Sequence, residues 1–289
     1  MNNLTMVLVF ISIIGSLFLL FIYVMWRGSK LPKFHPNNYI SSSNENREVV
    51  LCCGDSITHG RIGYDWCSEL SNQDNSRIYI NAGVNGDLAW NLYQRLDDII
   101  RCRPNVITIL IGSNDAMGSQ SKLMGDDYVK RKALPRTPSI DWFKENYELI
   151  IKSLIDNTNA KIYLITIPWI GESENEEIIE IIKNHNKVIK GLGRQYNLDV
   201  IPFFDEMNKF INNNKTKKFK EHSNDIYLIN YKRFYRIVRA LLMHYLFGFS
   251  WNAIGRKYGL LTTCDFIHLN EDSGRLIKNL VKDHLKIKS

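Results

Sequence analysis

Apolar positions fall along this chain in three patterns. From Met6 to Trp26 they are continuous, 21 residues without a charge, relieved only by Ser12, Gly15, Ser16 and Tyr23. A helix of that length reaches about 30 Å, the thickness of a bilayer's hydrocarbon core. Tyr23 and Trp26 stand near its end, where amphipathic rings favour the interface. Further on come short, dense, largely β-branched runs at 49–53, 77–81, 105–111, 161–167 and 198–202, which predict strands covered on both faces. Between and after them apolar residues return at helical spacing, predicting helices over 64–70, 88–102, 142–154, 175–196 and 271–284. This alternation predicts an α/β domain with a parallel sheet and helices on both faces. In such sheets functional groups gather outside the carboxyl ends of the strands.

The expected organisation is a transmembrane anchor over 1–30, a polar tether over 31–46 and one domain over 47–288. The tether assignment rests on Pro32, Pro36, three serines and four asparagines. A cleaved signal peptide is the competing reading of the N-terminus. Against it, residues 1–5 carry no basic side chain, the apolar run exceeds an h-region, and no A-x-A site follows.

Composition narrows the class. A chain that is 45% hydrophobic and 23% charged is not wholly disordered. Five cysteines are too few, and odd in number, for a disulfide-stapled scaffold. The sequence holds neither a CxxC pair nor HExxH, so no metal is expected. Charge matters once it is divided. Of the net +7, Arg27, Lys30 and Lys33 follow the apolar run directly, which by the positive-inside rule predicts a cytosolic domain. The segment 208–263 holds eleven Lys or Arg against Glu221 and Asp225 only, and the rest is mildly acidic. No nucleic-acid recognition motif accompanies this charge, so a nucleic-acid partner is not expected.

Four loops at predicted strand ends carry candidate chemistry. The first is Gly54-Asp55-Ser56-Ile57-Thr58-His59-Gly60, where a serine at a strand-to-helix turn is exposed. Asp55 or Ser56 can equally be a simple helix cap. The second is Asn81-Ala82-Gly83-Val84-Asn85-Gly86-Asp87: an Asn-Gly turn, or a place where the side-chain-free Gly86 brings its N–H to a substrate. The third is Gly112-Ser113-Asn114-Asp115, in which Asn114 is a side-chain donor or a turn residue. The last is Asp265-Phe266-Ile267-His268. Its three-residue turn puts carboxylate and imidazole on one side, so that the acid can bond Nδ1 and fix the tautomer.

These four blocks, in this order, resemble the SGNH (GDSL) hydrolase family of esterases and lipases. The resemblance spans about residues 47–288 and implies a flavodoxin-like three-layer α/β/α sandwich on a five-stranded parallel sheet. It implies Ser56 as nucleophile, with His268 and Asp265 as base and acid. It further implies an oxyanion hole from the Ser56 and Gly86 N–H groups and the Asn114 side chain, with Asp55 and Asp115 in support. No cofactor is implied. The expected activity is serine hydrolysis of a carboxylic ester (a lipid, a thioester or an O-acetyl substrate) through an acyl-enzyme. Acyl transfer by the same intermediate is the alternative within enzymes, and an idle lipid- or partner-binding domain the alternative outside them.

The segment 208–263 is longer than a simple connection needs. In its helical pattern Lys232, Arg233, Arg236 and Arg239 share one face, and Phe234, Ile237, Val238, Leu241, Leu242 and Tyr245 lie around the other. Two readings stand: a basic helix on an anionic membrane surface, or an added helix packed on the domain with a solvated basic face. Because it leads into the Asp265–His268 loop, it can also wall the substrate site. A second insertion, 117–138, can flank the serine.

Overall fold

The computed structural model describes residues 3–39, 47–172, 176–214 and 230–287. Five parallel strands form its centre: β1 (Glu48–Gly54), β2 (Arg77–Gly83), β3 (Val106–Leu110), β4 (Lys161–Ile165) and β5 (Asp199–Ile201). Their spatial order is β2-β1-β3-β4-β5, so the chain winds outward from β1 in both directions. The crevice outside β1 is therefore the topological switch point, where open α/β sheets bind ligands. Register levels the strand ends there, since Gly54 pairs with both Gly83 of β2 and Leu110 of β3. Three loops thus leave the sheet side by side.

The helices are α1 (Asn3–Ser29), α2 (Ser56–His59), α3 (Trp66–Gln73), α4 (Ala89–Tyr93), α5 (Leu96–Arg101), α6 (Ser113–Ser119), α7 (Lys122–Lys132), α8 (Ile140–Asn157) and α9 (Glu176–Gln195). They continue as α10 (Phe203–Asn214), α11 (Asn230–Tyr245), α12 (Trp251–Arg256) and α13 (Glu271–His284). One group, α3, α10 and α13, packs together, and α4, α5 and α9 pack about α8. The strand interiors are largely apolar, with Leu51, Cys52, Ile107, Ile109, Leu164 and Ile165 fully enclosed, because helices cover both faces.

Three expectations change. The helix predicted over 88–102 is broken into α4 and α5 at Arg95, whose backbone leaves helical geometry (φ −121°, ψ 20°). The Arg95 side chain explains why, for it reaches back to Asp87 (2.9 Å) and to the Gly54 carbonyl (3.1 Å). The segment read as a tether is laid on the domain over its first part. Pro32, His35 and Pro36 are buried there, and Asn81 N–H donates to the Phe34 carbonyl at 2.9 Å. Its remainder, 40–46, lies outside the described residues, as does 215–229 of the long insertion.

The third change concerns α11, whose basic face is not solvated. Arg233 reaches Asp127 on α7 (3.1 Å), Arg236 lies over the Phe266 ring (4.2 Å) and Arg239 over the Tyr258 ring (4.7 Å). Among the described side chains of α11, the exposed ones are Phe234 and Tyr235. Guanidiniums stack on aromatic faces and keep apolar stems, so this helix packs on its basic side as well as on the apolar side that carries Ala240 and Leu241.

Helix α1 is 27 residues, long and apolar enough to cross a membrane. Its side chains are exposed from Leu4 to Tyr23, but its last turns are not free. Val24 is fully buried in a cluster with Ile62, Ala240, Leu241, Trp251 and Ile254. A Cβ on Gly28 would press on the Leu241 side chain, and the Gly28 carbonyl accepts from Asn85 Nδ2 at 2.9 Å.

Candidate active site

Ser56 is the first residue of α2, two residues past the end of β1. The turn is tight because Gly54 and Gly83 have no side chain. A Cβ on the former would overlap Thr58 Oγ1 and the Leu110 carbonyl, and one on the latter would overlap the His59 backbone. Asp55 caps the short helix, its Oδ1 accepting from Ile57 N–H at 2.9 Å. The aspartate therefore caps the turn, and Ser56, though only 7% exposed, opens on a cavity.

The last loop delivers the imidazole. His268 Nε2 lies 3.0 Å from Ser56 Oγ, across 212 positions of sequence. On the other side of the ring, Nδ1 lies 2.7 Å from Asp265 Oδ2. The second carboxylate oxygen, Oδ1, accepts from the N–H of Ile267 (3.1 Å) and of His268 (2.8 Å), which fixes the acid against its own turn. Burial works to raise the pKa of Asp265, but the His268 ring and these N–H groups hold it below the usual carboxylate value. With the carboxylate ionised, Nδ1 carries the proton and Nε2 is left to accept from the serine hydroxyl.

Gly86 and Asn114 open on the same space as Ser56 and His268, a cavity of about 510 Å³. Gly86 adopts φ +75°, a left-handed geometry that a side chain would strain. Asn114 is oriented from behind, where the Tyr128 hydroxyl donates to its Oδ1 at 2.7 Å. Its Nδ2 donates to the Asp87 carbonyl (3.0 Å) and reaches towards Asp55 Oδ2 (3.4 Å). Asp87 does not cap the following helix. Its carboxylate takes Arg95 and, at 2.7 Å, Lys132 Nζ, while the Ala89 N–H is met by Asp115 (3.1 Å). Burial pushes the Asp55 carboxyl up to about 7 and that of Asp115 up to about 8.

Other candidates are placed elsewhere. All five cysteines are free and buried, and burial raises the thiols of Cys53 and Cys264, so neither is a nucleophile. Trp169 stacks on Phe204 (5.9 Å) rather than lining the cavity. Among the described residues, no cluster of His, Cys, Asp or Glu has a metal-binding arrangement.

Two residues that pattern reading missed hold the site together. Tyr128 gave no signal, being one tyrosine in an insertion. Glu172, buried and following β4, accepts from the N–H groups of Leu261, Thr262 and Thr263 and from both threonine hydroxyls, at 2.6–2.8 Å. It thereby ties down the segment that leads into Asp265. The bond pairs residues about 90 apart, and no local spacing announces it.

Residues 52–227 match the sequence profile of the GDSL-like lipase/acylhydrolase family. The chain belongs to that family. The GDSL-like assignment makes it an ester-bond hydrolase, and solved structures agree on the fold. An acetyl xylan esterase, AlAXEase, superposes with a TM-score of 0.56 at 19% identity, over 82% of this chain and 99% of that one. The acetylxylan esterase Axe2 from Geobacillus stearothermophilus gives 0.56 at 16% identity, over 86% and 97%. A lipase/acylhydrolase from Enterococcus faecalis gives 0.53 at 21% identity, over 83% and 95%. A search of curated protein sequences found no match.

Proposed function

We propose that this GDSL-like hydrolase is a membrane-anchored serine esterase working through Ser56, His268 and Asp265. The observation that carries the reading is the unbroken hydrogen-bond line from Asp265 through His268 to Ser56 Oγ, at 2.7 and 3.0 Å. In the first half-reaction Oγ attacks the ester carbonyl as His268 Nε2 takes its proton. The new oxyanion is met by the N–H of Ser56 at the start of α2, the N–H of Gly86 and the Nδ2 of Asn114. Collapse expels the alcohol, which leaves with the proton from Nε2, and the acyl group stays on Ser56. Water then attacks, His268 again taking the proton, and the carboxylic acid departs.

The anchor reading is supported by the far end of α1. A signal sequence destined for removal needs no fit to the mature domain, whereas Val24 is enclosed and Gly28 bonds to Asn85, the neighbour of the oxyanion glycine. Arg27, Lys30 and Lys33 beyond the span, and five reduced thiols, support a cytosolic domain. The test is hydrolysis of p-nitrophenyl acetate by the full chain in detergent. Turnover is expected from the wild type and none above background from Ser56→Ala; equal rates would end the serine reading.

A further inference from the structure

Helix α11 belongs to two structures at once. Its inner side supplies Arg233, Phe234 and Ile237 to the lining of the Ser56 cavity. Its later turns, through Ala240 and Leu241, receive the end of α1. The two regions share atoms. Ile62 lines the cavity and packs in the α1 cluster, and Asn85 lines the cavity while its amide holds the Gly28 carbonyl. Two residues before Gly28, Trp26 is exposed, as is Tyr23, at the level where a spanning helix meets the headgroups. The scissile ester of a bilayer lipid sits at that same boundary. At the same turn of α11, Phe234 (itself part of the cavity lining) and Tyr235 are exposed, as apolar groups that meet a bilayer surface are.

The cavity wall is also charged. Arg131 and Arg233 share a single carboxylate, Asp127, at 2.7 and 3.1 Å, so the trio carries a net positive charge. Arg233 is largely buried, and while Nη2 takes Asp127, its Nη1 is enclosed with no hydrogen-bond partner. A cavity wall with that charge favours an anionic ligand over a neutral or zwitterionic one.

We propose that the cavity takes the acyl ester of an anionic phospholipid from the bilayer in which α1 is seated, the positive wall at Arg233 selecting a headgroup of net negative charge over a zwitterionic one. The proposal rests on the esterase reading and narrows its substrate. Ser56 Oγ bonds the acyl carbonyl carbon and the ester C–O bond breaks. The lysolipid alcohol leaves with the proton from His268, and water releases the fatty acid.

The test uses the full chain reconstituted in vesicles of phosphatidylcholine with or without phosphatidylglycerol, fatty acid release being measured from each lipid. We expect phosphatidylglycerol to be cleaved about tenfold faster than phosphatidylcholine, the size of one charged contact. In Arg233→Gln that ratio falls towards one, and in Arg233→Lys, which keeps the charge, it is partly retained. A third arm offers short-chain phosphatidylglycerol as dispersed monomers, which is expected to react more slowly than the same headgroup in the bilayer. A ratio near one in the wild type, or one unmoved by Arg233→Gln, overturns the role of the anionic headgroup. Equal rates on monomers and bilayer overturn presentation by the membrane. p-Nitrophenyl acetate run in parallel separates the cases: turnover there with no lipid preference sinks this proposal alone, and no turnover anywhere sinks the esterase reading with it.

Discussion

The cavity has a floor and a wall, and they are built differently. The floor is Ser56, Gly86, Asn114 and His268, each on a loop whose course is set within a few residues of a strand end or by a carboxylate in its own turn. The wall is α7 and α11, held by one shared ion pair, by guanidiniums on rings and by the end of α1. The two meet at Tyr128, whose hydroxyl orients Asn114 and whose ring lies against Arg131 (4.6 Å) and Arg233 (5.5 Å). They meet again at Glu172, which fixes the strip joining α12 to the His268 loop. Such a division lets a hydrolase change what it accepts while keeping what it does, because chemistry depends on the floor and access on the wall.

The comparison breaks most readily at the floor. On the proposed mechanism Asn114→Ala removes one of the oxyanion donors and is expected to lower kcat about 10²–10³-fold. A rise in KM with kcat intact would move Asn114 from the chemistry to the wall. Glu172→Gln swaps an acceptor of five hydrogen bonds for an amide whose NH2 faces donors. Thermal unfolding should report a loss on the order of 3 kcal/mol, with activity falling alongside. Unaltered stability would mean that the 261–263 strip is held by something else.

Tyr128→Phe tests the other joint more gently. The ring and its cationic neighbours stay, but the bond that orients the Asn114 amide is lost, so kcat should fall about tenfold at unchanged KM. In the Asn114→Ala background the same substitution should then cost almost nothing. A full further tenfold there would show that the tyrosine acts by another route.

A further expectation concerns pH. Asp115, buried with its carboxyl raised to about 8, binds its proton in the folded chain at pH values where the unfolded chain has lost it. Its contribution to stability is thus complete below about pH 4 and drains away as pH climbs through about 8. Between these limits the melting temperature of the wild type should decline more steeply than that of Asp115→Asn. Parallel curves would remove Asp115 as the source.

Much of the floor was legible before any coordinates. Gly54-Asp55-Ser56, Asn81 through Asp87, Gly112 through Asp115 and Asp265 through His268 are local patterns, and each loop's shape follows from its own glycines and caps. Sheet order and register then bring the loops together, and that order came with the family resemblance and not from the alternation alone. That the two insertions wall the site was legible too, but the way the wall is held was not. That α11 packs on its basic side as well depends on Phe266, Tyr258 and Asp127, all distant in sequence, and a scale that counts arginine as polar leaves that side to solvent. Glu172 and Tyr128 act across 89 or more and 14 positions, with no motif to flag either. The break at Arg95 belongs here too, because one side chain's tertiary bonds override a continuous helical pattern.

The central claim is that Ser56 is the residue that becomes acylated, with His268 supplying its reactivity. A fluorophosphonate probe, which bonds only an activated hydroxyl, tests it on the full chain with the modified peptide read by mass spectrometry. The account predicts one adduct, on Ser56, abolished in Ser56→Ala and slowed by about 10³-fold or more in His268→Ala. Labelling at another residue, or labelling of Ser56 that is indifferent to His268, would contradict it.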